Sequence, residues 1–289
     1  MSSPDPLTRA AERLAQADGL VIAAGAGMGV DSGLPDFRGN EGFWKAYPAL
    51  GRAGLDFYEA ASPATFERDP RLAWGFYGHR LQLYRDTVPH AGFAILQHWA
   101  DQMPQGGFVF TSNVDGQFQK AGFDAQRIAE VHGSIHHLQC LRPCSDAIWP
   151  AEGFAPVVDT EACRLRNDPP RCPHCGGLAR PNILMFDDGG WIAHRQAAQR
   201  QRLQDWLARV EKPLVIEMGA GTAVATVRHF SHRMVQSGGG RLIRINPTEA
   251  TVPSARDVGL ASGALAALRA IARQGGGPGC PPAPALQGD

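Results

Sequence analysis

Short apolar runs alternate with amphipathic stretches along most of this 289-residue chain. The runs have the length of strands, and the stretches between them repeat apolar residues at the spacing of one helix face. This alternation predicts an α/β fold with a parallel sheet and helices on both of its faces. Strands are expected at 20–24, 108–110, 128–131, 182–186, 214–218 and 242–245, and helices at 8–16, 71–85, 91–99, 191–210, 223–235 and 261–273.

The loops that follow five of these strands carry most of the unusual residues. These loops begin after Ala24, Phe110, Val131, Met218 and Ile245. Parallel strands end at the same edge of their sheet, and ligands of such folds bind outside that edge. The sequence therefore predicts a ligand site at the carboxyl edge.

Composition excludes several classes of partner. The chain is 44% hydrophobic, which suffices for a sizeable core, and its 28 basic and 28 acidic residues give a formal net charge of zero. No global field recruits nucleic acid or an anionic membrane. No secretory pattern opens the chain, and no apolar run reaches the ~20 residues of a membrane span. We expect a cytoplasmic protein that binds neither nucleic acid nor membrane.

Residues 135–185 break the alternation and contain two close pairs of cysteines. The pairs are Cys140 with Cys144 and Cys172 with Cys175. Two turns that each present two thiolates make a tetrahedral site suited to a structural zinc ion, one per chain. Nearby residues that could replace one of these ligands are Cys163, His136, His137 and His174.

These patterns divide the chain into a predicted Rossmann-like domain and an inserted module. The Rossmann-like domain consists of residues 1–134 and 186–275, including a helical segment at 36–90, and the zinc-binding module consists of 135–185. The Gly/Pro-rich tail, 276–289, is expected to be disordered.

The glycine-rich segment 25–39, GAGMGVDSGLPDFRG, is the strongest sign of a nucleotide site. Glycines let backbone N–H groups approach a pyrophosphate closely and form an anion-binding nest without a lysine. The segment lacks the Gly-Lys-Ser/Thr ending of a triphosphatase loop. Val30 also stands where the common dinucleotide fingerprint has its third glycine.

Together with later segments in the same order, this loop resembles the signature of the sirtuins, the NAD-dependent protein deacylases. The matching segments are 25–39, 111–115 with 120–122, 131–134, 172–177 with 180–181, and Gly219 with 245–246. The resemblance covers roughly residues 11–273. It implies NAD as co-substrate, an acyl-lysine protein or peptide as substrate, and structural zinc.

The resemblance also implies roles for individual residues. His132 would be catalytic: after the acyl oxygen of a modified lysine attacks the nicotinamide ribose, the histidine deprotonates a ribose hydroxyl, a task that suits its pKa. Asn113 would order the ribose and water, and Asp115 would accept the nicotinamide carboxamide. The implied cofactor residues are Gly25, Ala26, Gly27, Ser32, Gly33, Phe37, Arg38, Ser112, Asn113, Asp115, Gly219, Ala220, Gly221 and Asn246.

Tyr77 and Arg80 lie three residues apart in a predicted helix and so share one face. A desuccinylase and demalonylase type of sirtuin carries Tyr-x-x-Arg in this region, where the pair holds the acyl carboxylate through charge-assisted hydrogen bonds. The resemblance therefore predicts succinyl or malonyl preference. The alternative is an ordinary aromatic and cation on an amphipathic helix, as Tyr84 and Arg85 illustrate.

Several positions depart from the sirtuin pattern. Gly29 stands where Ser is usual, Ser112 where Gln is usual, and Gln117-Phe118 where Leu-His is expected. Two further segments differ as well. Gly219, Ala220 and Gly221 replace Gly-Thr-Ser, which removes side-chain hydrogen bonds to the cofactor but keeps backbone ones. Asp187 and Asp188 replace the last two residues of Phe-Gly-Glu, in a stretch where family members pair with an extended peptide. Loss of that glycine could change the local backbone, and the two charges could repel an acidic acyl group.

Other functions compete with deacylation. Mono-ADP-ribosyl transfer or NAD hydrolysis would use the same pocket without a good acyl-lysine channel. A non-catalytic sensor of NAD or ADP-ribose is expected to have lost the catalytic histidine, but His132 is present. The neutral charge argues against a nucleic-acid-binding zinc ribbon.

Overall fold

A computed structural model describes residues 5–36, 39–237 and 239–274, so the predicted tail lies outside the described residues. The strands are β1 (Gly19–Ala24), β2 (Gly107–Thr111), β3 (Ile128–Glu130), β4 (Gly133–Cys140), β5 (Ile148–Pro150), β6 (Val158–Asp159), β7 (Arg164–Leu165), β8 (Ala179–Ile183), β9 (Pro213–Met218), β10 (Arg241–Ile245) and β11 (Val258–Leu260). The helices are α1 (Pro6–Gln16), α2 (Gly39–Ala46), α3 (Pro48–Arg52), α4 (Phe57–Ala60), α5 (Pro63–Arg68), α6 (Pro70–Asp86), α7 (Gly92–Gln102), α8 (Gln117–Lys120), α9 (His194–Leu207), α10 (Thr226–Ser237) and α11 (Ala264–Gln274). Among the described residues, no helix has both the length and the apolar character needed to cross a membrane.

The main sheet has six parallel strands in the order β11-β10-β9-β1-β2-β3. The chain builds outward from β1 in one direction through β2 and β3, and later in the other direction through β9, β10 and β11. This reversal leaves a crevice between the loops after β1 and β9, the usual ligand site of open α/β sheets. The predicted parallel sheet is confirmed.

Side chains of β1 alternate between two cores, as the period of a strand requires. Ile22 packs in one cluster with Phe93 of α7 and Leu268 of α11. Val21 packs in the other cluster with Trp206 of α9 and Phe230 of α10. Helices therefore cover both faces, and the fully buried apolar strand β1 forms a rigid base for the loop that follows it.

A third apolar cluster lies away from the main sheet, between the helical segment and the small strands. Trp74 and Phe76 of α6 pack there with Leu138 of β4, Leu165 of β7 and Ile183 of β8. The N-terminus of α6 is fixed by the Asp69 side chain, which accepts a hydrogen bond from a backbone N–H of the first turn. The cysteine-rich segment thus shares its core with the preceding helices.

The strand predicted at 182–186 is wrong in its bounds and in its sheet. The structure has β8 at Ala179–Ile183, where it pairs antiparallel with β4 in a three-stranded sheet of order β5-β4-β8. Beyond Ile183 the backbone leaves this sheet, since Leu184 N donates to His132 O and Phe186 N donates to Ala61 O. Strands β4 and β11 and the short helices α2–α5 were not individually predicted.

Candidate functional site

The loops after β1 and β9 touch through their backbones. Gly25 N donates to Met218 O at 2.9 Å, and Gly27 N donates to Gly219 O at 3.1 Å. Gly219 has φ 59°, and a Cβ there would lie 2.4 Å from backbone atoms of Gly27 and Met28. The close approach leaves no room for a side chain, so the glycines bring the two loops together at the crevice.

The loop after β2 joins them through Asn113. The Asn113 side-chain amide donates to Gly25 O at 3.0 Å, and its backbone N–H donates to the Thr111 hydroxyl at 3.0 Å. Ser112 N also donates to Ala24 O. The predicted cofactor residues of β1, β2 and β9 therefore form one continuous edge.

Asn246, after β10, fixes the backbone of the β9 loop. Its amide donates to Ala220 O at 3.0 Å, while its Oδ1 accepts from the backbone N–H groups of Thr248 and Glu249. Arg228 also donates to Ala220 O, at 3.1 Å. The loop that lost the side chains of Gly-Thr-Ser thus keeps a defined backbone, and Gly221 is exposed at its tip.

The remaining predicted cofactor residues follow β1. Ala26 is exposed, Gly33 has φ 85°, and the Ser32 hydroxyl accepts a hydrogen bond from His90 N at 2.9 Å. Ser32 therefore anchors its loop to the chain before α7. Phe37 and Arg38, predicted to screen the reaction centre and to approach the phosphates, lie outside the described residues.

His132 is half-buried at the same edge, just after β3. Its Nε2 lies 3.2 Å from the Thr226 hydroxyl. Burial lowers the pKa of His132 from 6.5, partly offset by a hydrogen bond with the Ser112 backbone. A neutral imidazole can accept a proton at neutral pH. Thr226 carries no signal of this contact in the sequence, because the pattern predicts it inside the helix 223–235, whereas α10 begins at Thr226.

Asp115 is buried, and its carboxylate accepts a hydrogen bond from Gln117 N at 2.9 Å. Burial is the largest influence and raises the pKa of Asp115 to about 6, although the Gln117 N–H acts in the opposite direction. A raised carboxyl pKa beside a ligand edge is characteristic of functional sites.

The structure brings Tyr77 and Arg80 together inside the protein instead of on its surface. The Arg80 guanidinium lies 5.7 Å from the Tyr77 ring centroid and 5.1 Å from that of Phe76. Arg80 Nε also donates to the Tyr84 hydroxyl at 3.0 Å, so Tyr84 is a partner of Arg80 and not the ordinary helix residue that the sequence suggested. Burial raises the pKa of Tyr77 to about 12, so its phenol is a neutral donor.

All four predicted metal ligands meet at one point. Their Sγ atoms lie within 4.8 Å of one another, with Cys140 to Cys175 at 3.7 Å and Cys144 to Cys172 at 3.6 Å. A tetrahedral zinc site with ordinary Zn–S bonds needs sulfur atoms about 3.8 Å apart. The substitutes considered in the sequence, Cys163, His136, His137 and His174, do not belong to this cluster.

The departure at Phe-Gly-Glu has a structural explanation. Asp187 has φ 51°, so it keeps the left-handed backbone that a glycine would favour. Asp188 forms two 2.7 Å hydrogen bonds with the Arg180 guanidinium, and both side chains are fully buried. The Asp188 charge is therefore balanced by Arg180, and the Asp187 carboxylate accepts a hydrogen bond from the Tyr58 hydroxyl.

A sequence model described as the Sir2 family matches residues 25–210. An NAD-dependent protein deacylase 2 of Pyrobaculum aerophilum is 30% identical over 249 residues, covering 86% of this chain and 87% of that protein. An NAD-dependent protein deacylase of Thermococcus kodakarensis is 28% identical, with 87% and 89% covered. A crystal structure of a Sir2 homolog–NAD complex has the same fold, with a TM-score of 0.67, 23% identity and 94% of each chain covered. The chain therefore belongs to the Sir2 family of sirtuin-type enzymes.

Proposed function

We propose that this protein is an NAD-dependent protein lysine deacylase that transfers the acyl group to ADP-ribose and releases nicotinamide. One observation carries the proposal. His132 lies at the carboxyl edge, where the loops of Gly25 and Gly219 make backbone contact, and burial lowers the pKa of its imidazole. The deacylase names of the relatives support the same activity.

The residues at this edge fit NAD. Gly25 and Gly27 pack directly against the backbone of Gly219, so the loops after β1 and β9 meet at the crevice where folds of this type bind the diphosphate of a dinucleotide. Asn113, whose side chain is hydrogen-bonded to Gly25 O, is assigned to the ribose, and Asp115 is assigned to the nicotinamide carboxamide. When bound, NAD supplies an electrophilic ribose carbon that accepts the acyl oxygen.

His132 acts as the general base. Its imidazole removes a proton from a ribose hydroxyl, and the Thr226 hydroxyl 3.2 Å from Nε2 restricts the orientation of the ring. Because the pKa of His132 is lowered, its imidazole is unprotonated at neutral pH and can accept the ribose proton directly. Thr226 is a positioning residue in this scheme.

The four clustered cysteines are assigned to one structural zinc ion. Cys140 ends β4, and Cys172 and Cys175 lie in the turn before β8, so the ion would tie both strands of the small sheet. All four positions are filled by protein ligands, which is the pattern of a structural site, not a catalytic one.

Succinyl or malonyl preference is the finer part of the proposal. Tyr77 and Arg80 lie side by side and buried, and Tyr84 holds Arg80 Nε. A guanidinium can bind a carboxylate through two parallel N–H groups, and the Tyr77 phenol can add a third donor. The neutralised Asp188 removes one of the charges that would oppose such a substrate.

Reaction products decide between the candidate functions. The protein is incubated with NAD and matched acetyl-, succinyl- and long-chain acyl-lysine peptides, and the products are identified by mass spectrometry. Deacylation predicts acyl-ADP-ribose in equal amount to nicotinamide. ADP-ribosylated protein or free ADP-ribose without deacylated peptide would instead support ADP-ribosyl transfer or NAD hydrolysis.

Two variants test the acyl preference. Arg80→Leu should lower succinyl-lysine kcat/KM by about 10- to 100-fold, the value of one or two charge-assisted hydrogen bonds, and Tyr77→Phe should lower it by less. Acetyl-lysine activity should change little, and Arg209→Leu, at an exposed position just after α9, is the matched control. If the unmodified protein has equal kcat/KM for the two peptides, or a higher kcat/KM for the acetyl peptide, then Tyr77 and Arg80 are ordinary helix residues.

A further inference from the structure

A second concave site lies between α8, α9, the end of α6 and the small sheet. The cavity has a volume of about 830 Å³, within the range of small-molecule sites. Four cationic side chains line it: Arg85 from α6, Lys120 from α8, and Arg195 and Arg202 from α9. Nothing in the assigned function uses these side chains.

Three of these cations donate their described hydrogen bonds to backbone carbonyls, which carry no charge. Arg85 donates to two backbone carbonyls, of Ala151 and Phe154, each at 2.8 Å. Lys120 donates to the carbonyl of Arg85, and Arg202 Nε donates to Gln126 O at 3.2 Å. Carbonyl contacts orient these groups without cancelling their charge.

Acidic groups at the cavity do not balance the cations. Asp115 is the one carboxylate that lines it, and Glu130 behind the wall pairs with Arg195. The described lining therefore carries four cations and one carboxylate in a chain whose formal net charge is zero, while Glu152 and Asp86 outside the lining also act on Arg85. A concave surface of one sign concentrates counter-ions of the other.

The remaining lining suits a ligand with an uncharged part. Ile148, Pro150 and Ala198 contribute apolar surface, while His136 and His137 contribute ring nitrogens. Burial lowers the pKa of both histidines, so they are neutral partners for hydrogen bonds. The lining shares Asp115, in the loop after β2, with the NAD edge, but it includes no residue of the loops after β1, β9 or β10 and does not include His132.

We propose that this cavity binds a phosphorylated small molecule of nucleotide size, separately from the NAD edge. Guanidinium and ammonium groups from three helices can surround one phosphate, and Arg in particular matches phosphate oxygens with paired N–H donors. The site adjoins the NAD edge through Asp115, whose backbone oxygen lies 2.8 Å from His136 Nε2.

Calorimetric titration of inorganic pyrophosphate into the full-length, zinc-loaded protein tests the site. The titration is repeated with saturating ADP-ribose, which occupies the NAD edge if the proposed function is correct. Lys120→Ala and Arg202→Ala should each weaken pyrophosphate binding about 10-fold, as loss of one charge-assisted contact predicts. Arg200→Ala is the matched control, because Arg200 is exposed on α9 outside the cavity.

Arg202→Ala removes one hydrogen bond to Gln126 O, so the fold should remain intact and thermal unfolding of each variant is checked in parallel. If ADP-ribose fails to bind, the proposed function is in question, but a pyrophosphate site sensitive to Lys120 and Arg202 would still support the cavity. Pyrophosphate binding that is absent, or equal in all variants, overturns the proposal. Poly-glutamate binding that depends on the same cations and resists pyrophosphate overturns it in favour of an acidic protein partner.

Discussion

The carboxyl edge of the main sheet and the cysteine cluster reach a defined geometry by different means. At the edge, Gly27 and Gly219 approach so closely that a Cβ on Gly219 would lie 2.4 Å from backbone atoms. At the cluster, four thiol groups lie within 4.8 Å of one another. The edge depends on the absence of side chains, and the cluster depends on the presence of particular ones.

The support behind the two regions also differs. The edge extends from strands β1 and β9, which are buried along their whole length. The cluster lies in turns next to a small sheet whose apolar side chains pack against α6. We therefore expect an added methyl group to disrupt the packing of the edge and a lost thiolate to disrupt the cluster. Each substitution should have little effect on the other region.

Loss of one thiolate is expected to have the largest effect on stability. Cys172→Ser should release zinc and lower the free energy of unfolding by about 5 kcal/mol or more, because metal binding contributes to folding in such sites. Cys163→Ser is the control, since Cys163 is buried outside the cluster. Elemental analysis and urea unfolding measure both effects, and zinc-free purified protein of normal stability would contradict the assignment.

One added methyl group tests the edge. Gly219→Ala should lower the free energy of unfolding by about 2 to 4 kcal/mol, from overpacking and a strained left-handed backbone, and should weaken NAD binding. Gly153→Ala, in the turn after β5, places the same methyl group where no atom beyond its chain neighbours lies within 4 Å, so it should change neither property. Equal behaviour of the two variants in unfolding and NAD titrations would show that close packing does not define the edge.

Asp115→Asn sharpens the comparison, because it tests whether the edge contains a buried carboxylate that lowers the stability of the folded protein when it is ionised. In the folded protein burial raises the pKa of Asp115 from 3.8 to about 6, so the folded state holds more protons between these values. Stability should therefore fall as pH rises through this window. At pH 8 the variant should gain about 1 to 3 kcal/mol of stability, the value of a two-unit shift or less, and lose NAD-dependent deacylase activity.

Urea unfolding at several pH values checks this prediction. The unmodified protein should lose stability between pH 4 and 6 relative to the variant, and the difference should be constant above that range. A variant that is less stable than the unmodified protein at pH 8 would show that Asp115 is a structural carboxylate.

The sequence contained enough local information to predict five of the six strands of the main sheet, and β11 was missed. Its strands are continuous apolar runs such as 20–24, and parallel pairing then placed the loops of Gly25, Asn113 and Gly219 at one edge. The strand β8 was misplaced because its partner β4 and its end are set by long-range contacts, including Leu184 N with His132 O. Such contacts leave no periodic signal.

Side-chain partners were the least predictable part of the site. Arg180 and Asp188 form a buried ion pair, yet the sequence shows only two charged residues in a loop region. The contact of Thr226 with His132 joins residues 94 positions apart. Spacing identified the four cysteines because two close pairs allow few other arrangements, whereas single polar residues allow many.

The most direct test of the central claim compares His132→Ala with the unmodified protein. Acyl transfer from the best acyl-lysine peptide to ADP-ribose is followed by mass spectrometry, and NAD binding is measured in parallel. Loss of the general base should lower acyl transfer by about 100- to 10,000-fold, or roughly 3 to 5 kcal/mol of barrier, while NAD affinity changes far less. Near-normal turnover in His132→Ala would contradict the account.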